Sequence, residues 1–286
     1  MDAIIKKAGI LVEAIPYIRK FAGKTVVIKY GGAAMVDNSL KEMVTTDISL
    51  MKYVGINPVV IHGGGPEISA LMERLGKKSQ FYEGLRITDD ETMELVEMVL
   101  VGKINQQIVT LINKQGGKAV GLSGKDGNLI QTRKKNIPGV DLGWVGEVEE
   151  INPRIILTLN QEGFIPVVAP VGTDINSNTY NLNADNVAGA LAVALKADKL
   201  ILLTDVAGIL RDPKNPHSLI STLTVKEIEN LIKDKIINTG MLPKVNACIA
   251  ALKGGVNKIH IIDGTIPHAI LLEIFTDRGI GTEIVK

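Results

Sequence analysis

The sequence predicts an α/β protein, a three-layer sandwich in which helices cover both faces of a central, mainly parallel, open sheet. Six short runs rich in apolar and β-branched residues each end at a loop, and most are apolar at successive positions. Continuous apolar runs are typical of strands that are buried on both faces. Helical patterns alternate with these runs, which favours parallel strands. The runs are 25–30, 58–62, 118–122, 165–169, 200–204 and 258–262.

The size and composition of the chain limit its class and its partners. With 286 residues, of which 45% are apolar, it is long enough for roughly two domains or one large α/β unit. A formal net charge of +1 gives no electrostatic signature for nucleic acid. The single cysteine, Cys248, excludes an intrachain disulfide framework. No apolar run approaches the roughly 18 residues of a membrane span, and we see no secretory signal around residues 10–15, so we expect a cytoplasmic protein.

The first 22 residues predict a separate helix ahead of the first strand. Apolar residues recur there at helical spacing, and Pro16 predicts a kink. This stripe must pack either on its own domain or on a partner, and we favour a partner because the helix precedes the whole fold. The stripe consists of Ile4, Ala8, Leu11, Ile15 and Ile18.

The rest of the chain is expected to form two lobes of one continuous sheet. Turn residues separate short β-like pieces between positions 123 and 153, which indicates hairpins. The alternation of strand and helix resumes after Asn181. Helical patterns cover 66–75, 89–112 and 186–196. The expected lobes are 23–180 and 181–286.

Two strands lead directly into glycines. The strand that contains Lys29 ends at Gly31 and Gly32, and the strand that contains His62 ends at residues 63–65, all glycine, followed by Pro66. Glycine lets the backbone approach a ligand closely and exposes N–H donors. Proline suits the first position of a helix, whose N-terminus carries partial positive charge. Together these features predict an anion site.

Two common glycine motifs do not fit. Residues 23–25 spell the end of a Walker A loop, but Ile18 occupies the earlier glycine position and Thr25 begins a strand. Gly63 and Gly65 begin a dinucleotide fingerprint, but Ile68 occupies the third glycine position. The sequence is therefore not that of a P-loop protein, and the Rossmann dehydrogenase interpretation is weakened.

Five segments together resemble the amino acid kinase family, and more narrowly its members that phosphorylate N-acetyl-L-glutamate. The resemblance covers essentially the whole chain and implies transfer of the ATP γ-phosphoryl group to the side-chain carboxylate of that substrate, in arginine biosynthesis. The expected lobes would then bind acetylglutamate (23–180) and ATP (181–286). The segments are 28–32, 62–66, 84–88, 181–185 and 240–244.

The resemblance assigns catalysis to Lys29 and Lys244, which would flank the moving phosphoryl group, and to Asp185, which would hold both ammonium groups. From the residues alone, Lys29 could equally be a solvated lysine at a strand end. Asp185 could be an ordinary acid in the first turn of a helix. No general base is expected, because the attacking carboxylate is already ionised at pH 7.

The resemblance also implies binding sites for both substrates. Arg86 would grip the α-carboxylate of acetylglutamate, although it could be a surface arginine on a hairpin spanning 77–88. Asn181 and Asn183 alternate on an extended segment and could bond the substrate, or form a turn or helix cap. Asp205 could contact nucleotide or cap a turn. The remaining implied residues are Gly64 and Gly65 for acetylglutamate, and Gly31, Gly32, Thr204, Gly240 and Met241, with Thr239 beside them, for ATP.

Magnesium is expected to bridge the ATP phosphates without a protein cage. None of the four histidines, His62, His217, His260 and His268, has metal-ligand spacing.

Some members of this group are hexamers inhibited by arginine, and they carry an additional N-terminal helix. The segments 14–19 and 271–277 resemble theirs, which implies feedback inhibition and a homo-oligomer, dimeric or hexameric through the N-terminal helix. Glu273 could pair with a guanidinium or be an ordinary helix acid. The implied arginine pocket consists of Tyr17, Lys196, His260, Glu273 and Gly279.

Two other functions stay open at this point. One is a different amino acid kinase, acting on glutamate, aspartate, carbamate or UMP. The other is a non-catalytic arginine sensor on the same scaffold. Retention of Lys29, Lys244 and Asp185 argues against a sensor, which has no use for charges around a phosphoryl group.

Overall fold

The structure, a computed structural model, has an eight-stranded sheet at its centre, with the strand order β12-β14-β13-β11-β1-β2-β8-β5. It describes residues 1–35, 37–212, 214–237, 240–277 and 279–286. All neighbouring strands in this sheet are parallel except β13 and β14. The strands are β1 (Thr25–Tyr30), β2 (Asn57–His62), β3 (Phe81–Tyr82), β4 (Leu85–Arg86), β5 (Ala119–Ser123), β6 (Ile130–Lys134), β7 (Gly146–Ile151), β8 (Ile165–Ala169), β9 (Val171–Thr173), β10 (Thr179–Asn181), β11 (Lys199–Thr204), β12 (Thr222–Thr224), β13 (Lys258–Asp263) and β14 (Thr282–Val285).

Helices cover both faces of the sheet, so the predicted three-layer α/β sandwich is confirmed. One buried core joins the sheet to α2, α3, α4, α5 and α10, and the other joins it to α6, α7, α8 and α9. The helices are α1 (Asp2–Phe21), α2 (Asn38–Tyr53), α3 (Gly65–Arg74), α4 (Asp90–Glu97), α5 (Gln106–Lys114), α6 (Arg154–Gln161), α7 (Ala184–Ala194), α8 (Val225–Lys233), α9 (Leu242–Lys253) and α10 (Ala269–Ile274).

Side-chain alternation along the central strands decides which helix layer each residue faces. In β1, Ile28 belongs to the core under α2 and α3, whereas Val27 belongs to the core under α7 and α9. Since successive side chains of a strand point to opposite faces, Lys29 lies on the α7 and α9 side. His62 of β2 has the same parity as Val60 and lies on the other side.

The hairpins expected between positions 123 and 153 are present. β6 and β7 pair antiparallel and belong to a second, four-stranded sheet with the order β10-β9-β6-β7. β3 and β4 form a small separate hairpin within the 77–88 segment. These additions cover the end of the main sheet where β2 and β8 finish, beside the glycine loop 63–65.

The helical segment predicted over 89–112 is a continuous 25-residue helical stretch, Asp90–Lys114. Its middle, Met98–Asn105, is a π-helix, which the sequence pattern did not indicate. By length and apolar composition the stretch could span a membrane, contrary to our expectation of no such run, but 44% of its most apolar window is buried inside the fold. It packs on the sheet as a core helix does.

The helix predicted ahead of the first strand is present as α1, with Pro16 inside it. Much of its apolar stripe is exposed, including Ile4 (68%) and Leu11 (72%). Its C-terminal end contacts the C-terminal segment: Tyr17 lies edge-on to the ring of Phe275 and donates to Asp277 Oδ1 at 2.7 Å.

Candidate active site

Three charged residues from distant parts of the chain meet above the centre of the sheet. Asp185 Oδ1 lies 3.0 Å from Lys29 Nζ, and Asp185 Oδ2 lies 2.9 Å from Lys244 Nζ. Lys29 is the last but one residue of β1, whereas Asp185 and Lys244 lie in the first turns of α7 and α9. Side-chain exposure is between 12% and 15% for all three. The structure therefore brings together the three residues that the resemblance assigned to catalysis.

The position of Asp185 follows from the local sequence. Asn183 is the N-cap of α7, and its Oδ1 accepts hydrogen bonds from the N–H groups of Asp185 and Asn186. An acid in the first helical turn is also favoured by the helix dipole. Asp185 is thus both a first-turn acid and the shared partner of two lysines, so the two interpretations of this residue are compatible.

The charge of Asp185 depends on its two partners. Burial alone would raise the pKa of this carboxyl group, but the charges and hydrogen bonds of Lys29 and Lys244 outweigh burial and lower the pKa below its ordinary value. The carboxylate consequently stays ionised at neutral pH, and two ammonium groups stay side by side in a poorly hydrated cleft.

The glycine loops border this cluster at the carboxyl ends of parallel strands. Gly32 has a φ of +72°, and a Cβ there would lie 3.3 Å from the backbone nitrogen of Asp205. A Cβ on Gly64 would collide with Leu100 and Ile104 of the π-helix. A residue larger than glycine therefore fits at position 64 only if Leu100 and Ile104 shift.

A cavity of about 180 Å³ lies between the second glycine loop, the β3–β4 hairpin and the start of α7. Of the residues predicted to bind acetylglutamate, Gly64, Gly65, Arg86, Asn181 and Asn183 all line it. Asn181 Nδ2 also donates to Thr88 Oγ1 at 3.2 Å. The five residues that the resemblance implied for acetylglutamate therefore share one cavity.

Arg86 is not the surface arginine that its sequence context also allowed. It is 6% exposed, and its two terminal nitrogens contact Ser79, Met72, Gly65 and Ser69. Burial lowers the pKa of its guanidinium. In this structure Arg86 therefore holds the carbonyl of Gly65, at 2.8 Å, as well as lining the cavity. To bind a carboxylate through both terminal nitrogens, Arg86 would have to give up some of these hydrogen bonds.

The residues predicted to bind nucleotide lie outside the lining of this cavity. Gly31 and Gly32 follow β1, Thr204 ends the adjacent β11 with Asp205 directly after it, and Gly240 and Met241 precede α9. Thr204 Oγ1 donates to the carbonyl of Val206, and Asp205 is exposed. Thr239 lies outside the described residues. Gly240 and Met241 thus lie directly before the helix that carries Lys244.

A second cavity, of about 610 Å³, opens between α1 and the C-terminal segment. Tyr17, His260, Glu273 and Gly279 line it, but Lys196 does not. Lys199, three residues further on, does line it and is 9% exposed. Sequence reasoning missed Lys199, although its position as the one charge in an otherwise apolar strand run, 199–204, was a usable signal.

Charged side chains of both signs line the second cavity, the acids together with Lys20, Lys199 and Lys258. Glu273 Oε1 lies 2.6 Å from His260 Nδ1, and Glu273 Oε2 accepts from the N–H of Ile280 at 2.8 Å. Burial raises the pKa of Glu273, but its bonds to His260 and Ile280 outweigh burial and leave the pKa below its ordinary value. The carboxylates of Asp277 and Glu283 also line this cavity.

Across the described ranges, no group of three or more His, Cys, Asp or Glu side chains is placed to hold a metal ion. Both oxygens of Asp185 are occupied by lysine.

Comparisons with known proteins show the family of the chain. The model of the amino acid kinase family matches residues 24–263. The acetylglutamate kinases of Heliobacterium modesticaldum and Moorella thermoacetica are 59% and 60% identical, over 99% and 98% of both chains respectively.

Solved structures show the same fold. The N-acetylglutamate synthase of Neisseria gonorrhoeae, complexed with coenzyme A and N-acetyl-glutamate, superposes with a TM-score of 0.87 at 28% identity, over 98% of this chain. In a complex with coenzyme A and L-arginine the TM-score is 0.83 at 26% identity, over 98% of this chain and 65% of that one. The chain spans 63% of the length of the synthase in the first complex.

The titration of Asp185 tests the electrostatics of the lysine cluster. In the intact protein its pKa is expected below 3.8, the ordinary value for aspartate. In Lys244→Met one of the two opposing charges is gone while burial remains, so the pKa should rise. The ion-pair contribution to stability is present above the unfolded pKa and is lost as pH falls through the folded pKa.

The measurement is a carbon-13 NMR titration of the Asp185 side-chain carboxyl in both proteins. Lys114→Met, which removes an exposed lysine paired with Glu42, is the matched control and should leave the titration of Asp185 unchanged. An equal pKa in Lys244→Met and the intact protein would contradict this account.

Proposed function

The chain belongs to the amino acid kinase family and, within it, to the acetylglutamate kinases, and from this premise we propose how its own residues perform the reaction. The enzyme transfers the γ-phosphoryl group of ATP to the side-chain carboxylate of N-acetyl-L-glutamate, in the biosynthesis of arginine. The assignment of residues depends on one observation: Lys29 Nζ and Lys244 Nζ both pair with the carboxylate of Asp185, at 3.0 and 2.9 Å.

The chemistry requires positive charge more than proton transfer. An oxygen of the acceptor carboxylate forms a bond to the γ-phosphorus, while the bond from that phosphorus to the β–γ bridging oxygen breaks and ADP leaves. Both substrates are anions, so they repel each other unless cations and N–H donors lie between them. Lys29 and Lys244 supply the cations, and the glycine loops supply N–H donors.

The lining of the 180 Å³ cavity suits the acceptor. Glycine backbone, two asparagine amides and the guanidinium of Arg86 line its wall, together with apolar Ile68 and Leu100. Amides can bond the acetamido group, and a guanidinium matches a carboxylate. The cavity reaches Ala184, directly before Asp185, so an acceptor bound there would lie next to the lysines.

ATP would occupy the opposite side, against Gly31, Gly32, Thr204, Asp205, Gly240 and Met241. The absence of a metal-binding cluster among the described side chains fits a Mg²⁺ ion carried by the phosphates. Such an ion supplies charge neutralisation between the β and γ oxygens. We expect the enzyme to act in the cytoplasm.

Removal of either lysine is expected to lower turnover by about 100-fold or more, as for other preorganised groups that stabilise developing charge. The variants are Lys29→Ala and Lys244→Ala, and the measurement is trapping of the acyl phosphate as a hydroxamate with ATP and N-acetyl-L-glutamate. Lys114→Ala, which removes an exposed lysine at the end of α5, is the matched control and should retain full turnover.

The same assay separates the competing functions. Preference for glutamate, aspartate, carbamate or UMP as acceptor would assign the chain to another branch of the family. No acyl phosphate and no ADP with any of these acceptors would favour a non-catalytic sensor.

The second cavity supports regulation by L-arginine. Its carboxylates, Glu273, Asp277 and Glu283, can pair with a guanidinium and an ammonium group. It lies away from the lysine cluster, so its occupant would not compete with substrate directly. Residues 1–22 form part of its wall through Tyr17 and carry an exposed apolar stripe, which supports a homohexamer assembled through the N-terminal helix.

Arginine is accordingly expected to inhibit the kinase, and Glu273→Gln should weaken that inhibition by about tenfold or more, since a charge-assisted pair is lost. Truncation of residues 1–22 removes Tyr17 and should abolish both inhibition and the hexamer. Initial rates against arginine concentration and light scattering measure these effects, with Glu42→Gln as an exposed-acid control. Catalysis that is unchanged in millimolar arginine would contradict the proposal.

A further inference from the structure

His62 is a buried histidine at the active site that phosphoryl transfer does not use. It is fully buried, and it ends β2 immediately before the glycine loop. Its Nδ1 lies 2.8 Å from the carbonyl oxygen of Gly63, and its Nε2 lies 3.3 Å from Asn105 Nδ2. Burial lowers the pKa of His62 to about 4, although the bond to Gly63 opposes this shift. The ring is therefore neutral at physiological pH.

The orientation of Asn105 follows from two backbone carbonyls. The side-chain atom that faces His62 also lies 2.9 Å from the carbonyl oxygen of Val167 and 3.3 Å from that of Leu122. Carbonyl oxygens only accept, so this atom must be the amide nitrogen. Asn105 is thus a donor toward His62.

The carbonyl of Gly63 fixes the tautomer of the histidine. Its oxygen only accepts, so the ring nitrogen beside it, Nδ1, carries the hydrogen. In a neutral ring Nε2 then carries no hydrogen and can accept from Asn105. Nδ1–H consequently donates to the carbonyl of Gly63 at 2.8 Å.

The surrounding structure is shaped to bring these groups together. Asn105 is the last residue of the π-helix, whose Leu100 and Ile104 pack on Gly64. A Cβ on Gly121 in β5 would collide with Asn105 Oδ1, so glycine at this position lets the amide reach the sheet. π-Helical turns inside α-helices frequently occur at functional sites.

The bond to Gly63 also sets the direction of the next N–H group. The Gly63–Gly64 peptide is trans, so its carbonyl and its N–H point in opposite directions. With the carbonyl held by His62, the N–H of Gly64 points away from His62. Gly63, Gly64 and Gly65 all line the 180 Å³ cavity.

We infer that His62 and Asn105 are positioning residues that aim the backbone N–H donor of Gly64 at the bound acceptor through the hydrogen bond from His62 Nδ1 to Gly63. The inference rests on the proposed function, because it assigns that cavity to N-acetyl-L-glutamate. The pair acts through the backbone and touches no substrate. Removal of the pair should therefore weaken the binding of N-acetyl-L-glutamate and leave the binding of ATP unchanged.

Two substitutions of His62 separate its two hydrogen bonds. The amide of glutamine reaches the position of Nε2, so His62→Gln keeps a partner for Asn105 but loses the donor to Gly63. The amide of asparagine lies at the position of Nδ1, so His62→Asn keeps that donor. In His62→Gln we expect the KM for N-acetyl-L-glutamate to rise about tenfold, the size of one hydrogen bond, with the KM for ATP unchanged.

His62→Asn should recover most of that lost affinity. The matched control is Ser49→Ala, which removes a buried hydrogen bond to the carbonyl of Thr45 in α2. It should lower thermal stability without changing either KM. An equal rise of both KM values in His62→Gln, or no recovery in His62→Asn, would overturn the inference.

Nitrogen-15 NMR of the histidine ring tests the tautomer in the unmodified protein and does not depend on whether the variants fold. The expected signature is a neutral ring with its hydrogen on Nδ1 between about pH 5 and pH 8. A hydrogen on Nε2 would overturn the inference. If the unmodified protein fails to phosphorylate N-acetyl-L-glutamate, the proposed function fails instead, and the ring spectrum still reports on the histidine and asparagine pair.

Discussion

Two ammonium groups remain adjacent in a poorly hydrated cleft only if a negative group neutralises part of their charge, and Asp185 meets that requirement here. Each oxygen of its carboxylate pairs with one lysine, at 3.0 and 2.9 Å. Their combined charge keeps the pKa of Asp185 low despite its burial. The three residues come from β1, α7 and α9, so the cluster exists only once the parallel sheet has formed and both helices have packed on the same face.

The glycine loops lie at the same edge of the sheet as the lysine cluster. β1 and β2 are paired in parallel so that Tyr30 lies opposite His62. The glycines that follow the two strands therefore begin at the same level of the sheet edge. Lys29 faces α7 and α9, whereas His62 faces the π-helix. The alternation of side chains along neighbouring strands thus places charge on one side of the active site and a neutral hydrogen-bonded histidine on the other.

Much of this arrangement could be predicted from the sequence, because strand and helix patterns are local. The six apolar runs are all strands of the main sheet, with bounds shifted by at most one residue at either end, as at 118–122 against Ala119–Ser123. Lys29, Asp185 and Lys244 were found through a resemblance, and their meeting depends on contacts across 215 residues of chain (244 − 29). The π-helix, the partners of Arg86 and the Asn105–His62 bond could not be predicted, since each depends on tertiary packing. Asn105, the neighbour of His62, carried no sequence signal.

The most direct test of the shared aspartate is a crystal structure with ADP, Mg²⁺, a metal fluoride in place of the moving phosphoryl group, and N-acetyl-L-glutamate. The account predicts that the Nζ atoms of Lys29 and Lys244 both lie within hydrogen-bond distance of the fluoride while each keeps its contact with Asp185. A structure in which either ammonium group points away from the fluoride, or in which Asp185 binds the metal instead of the lysines, would contradict it.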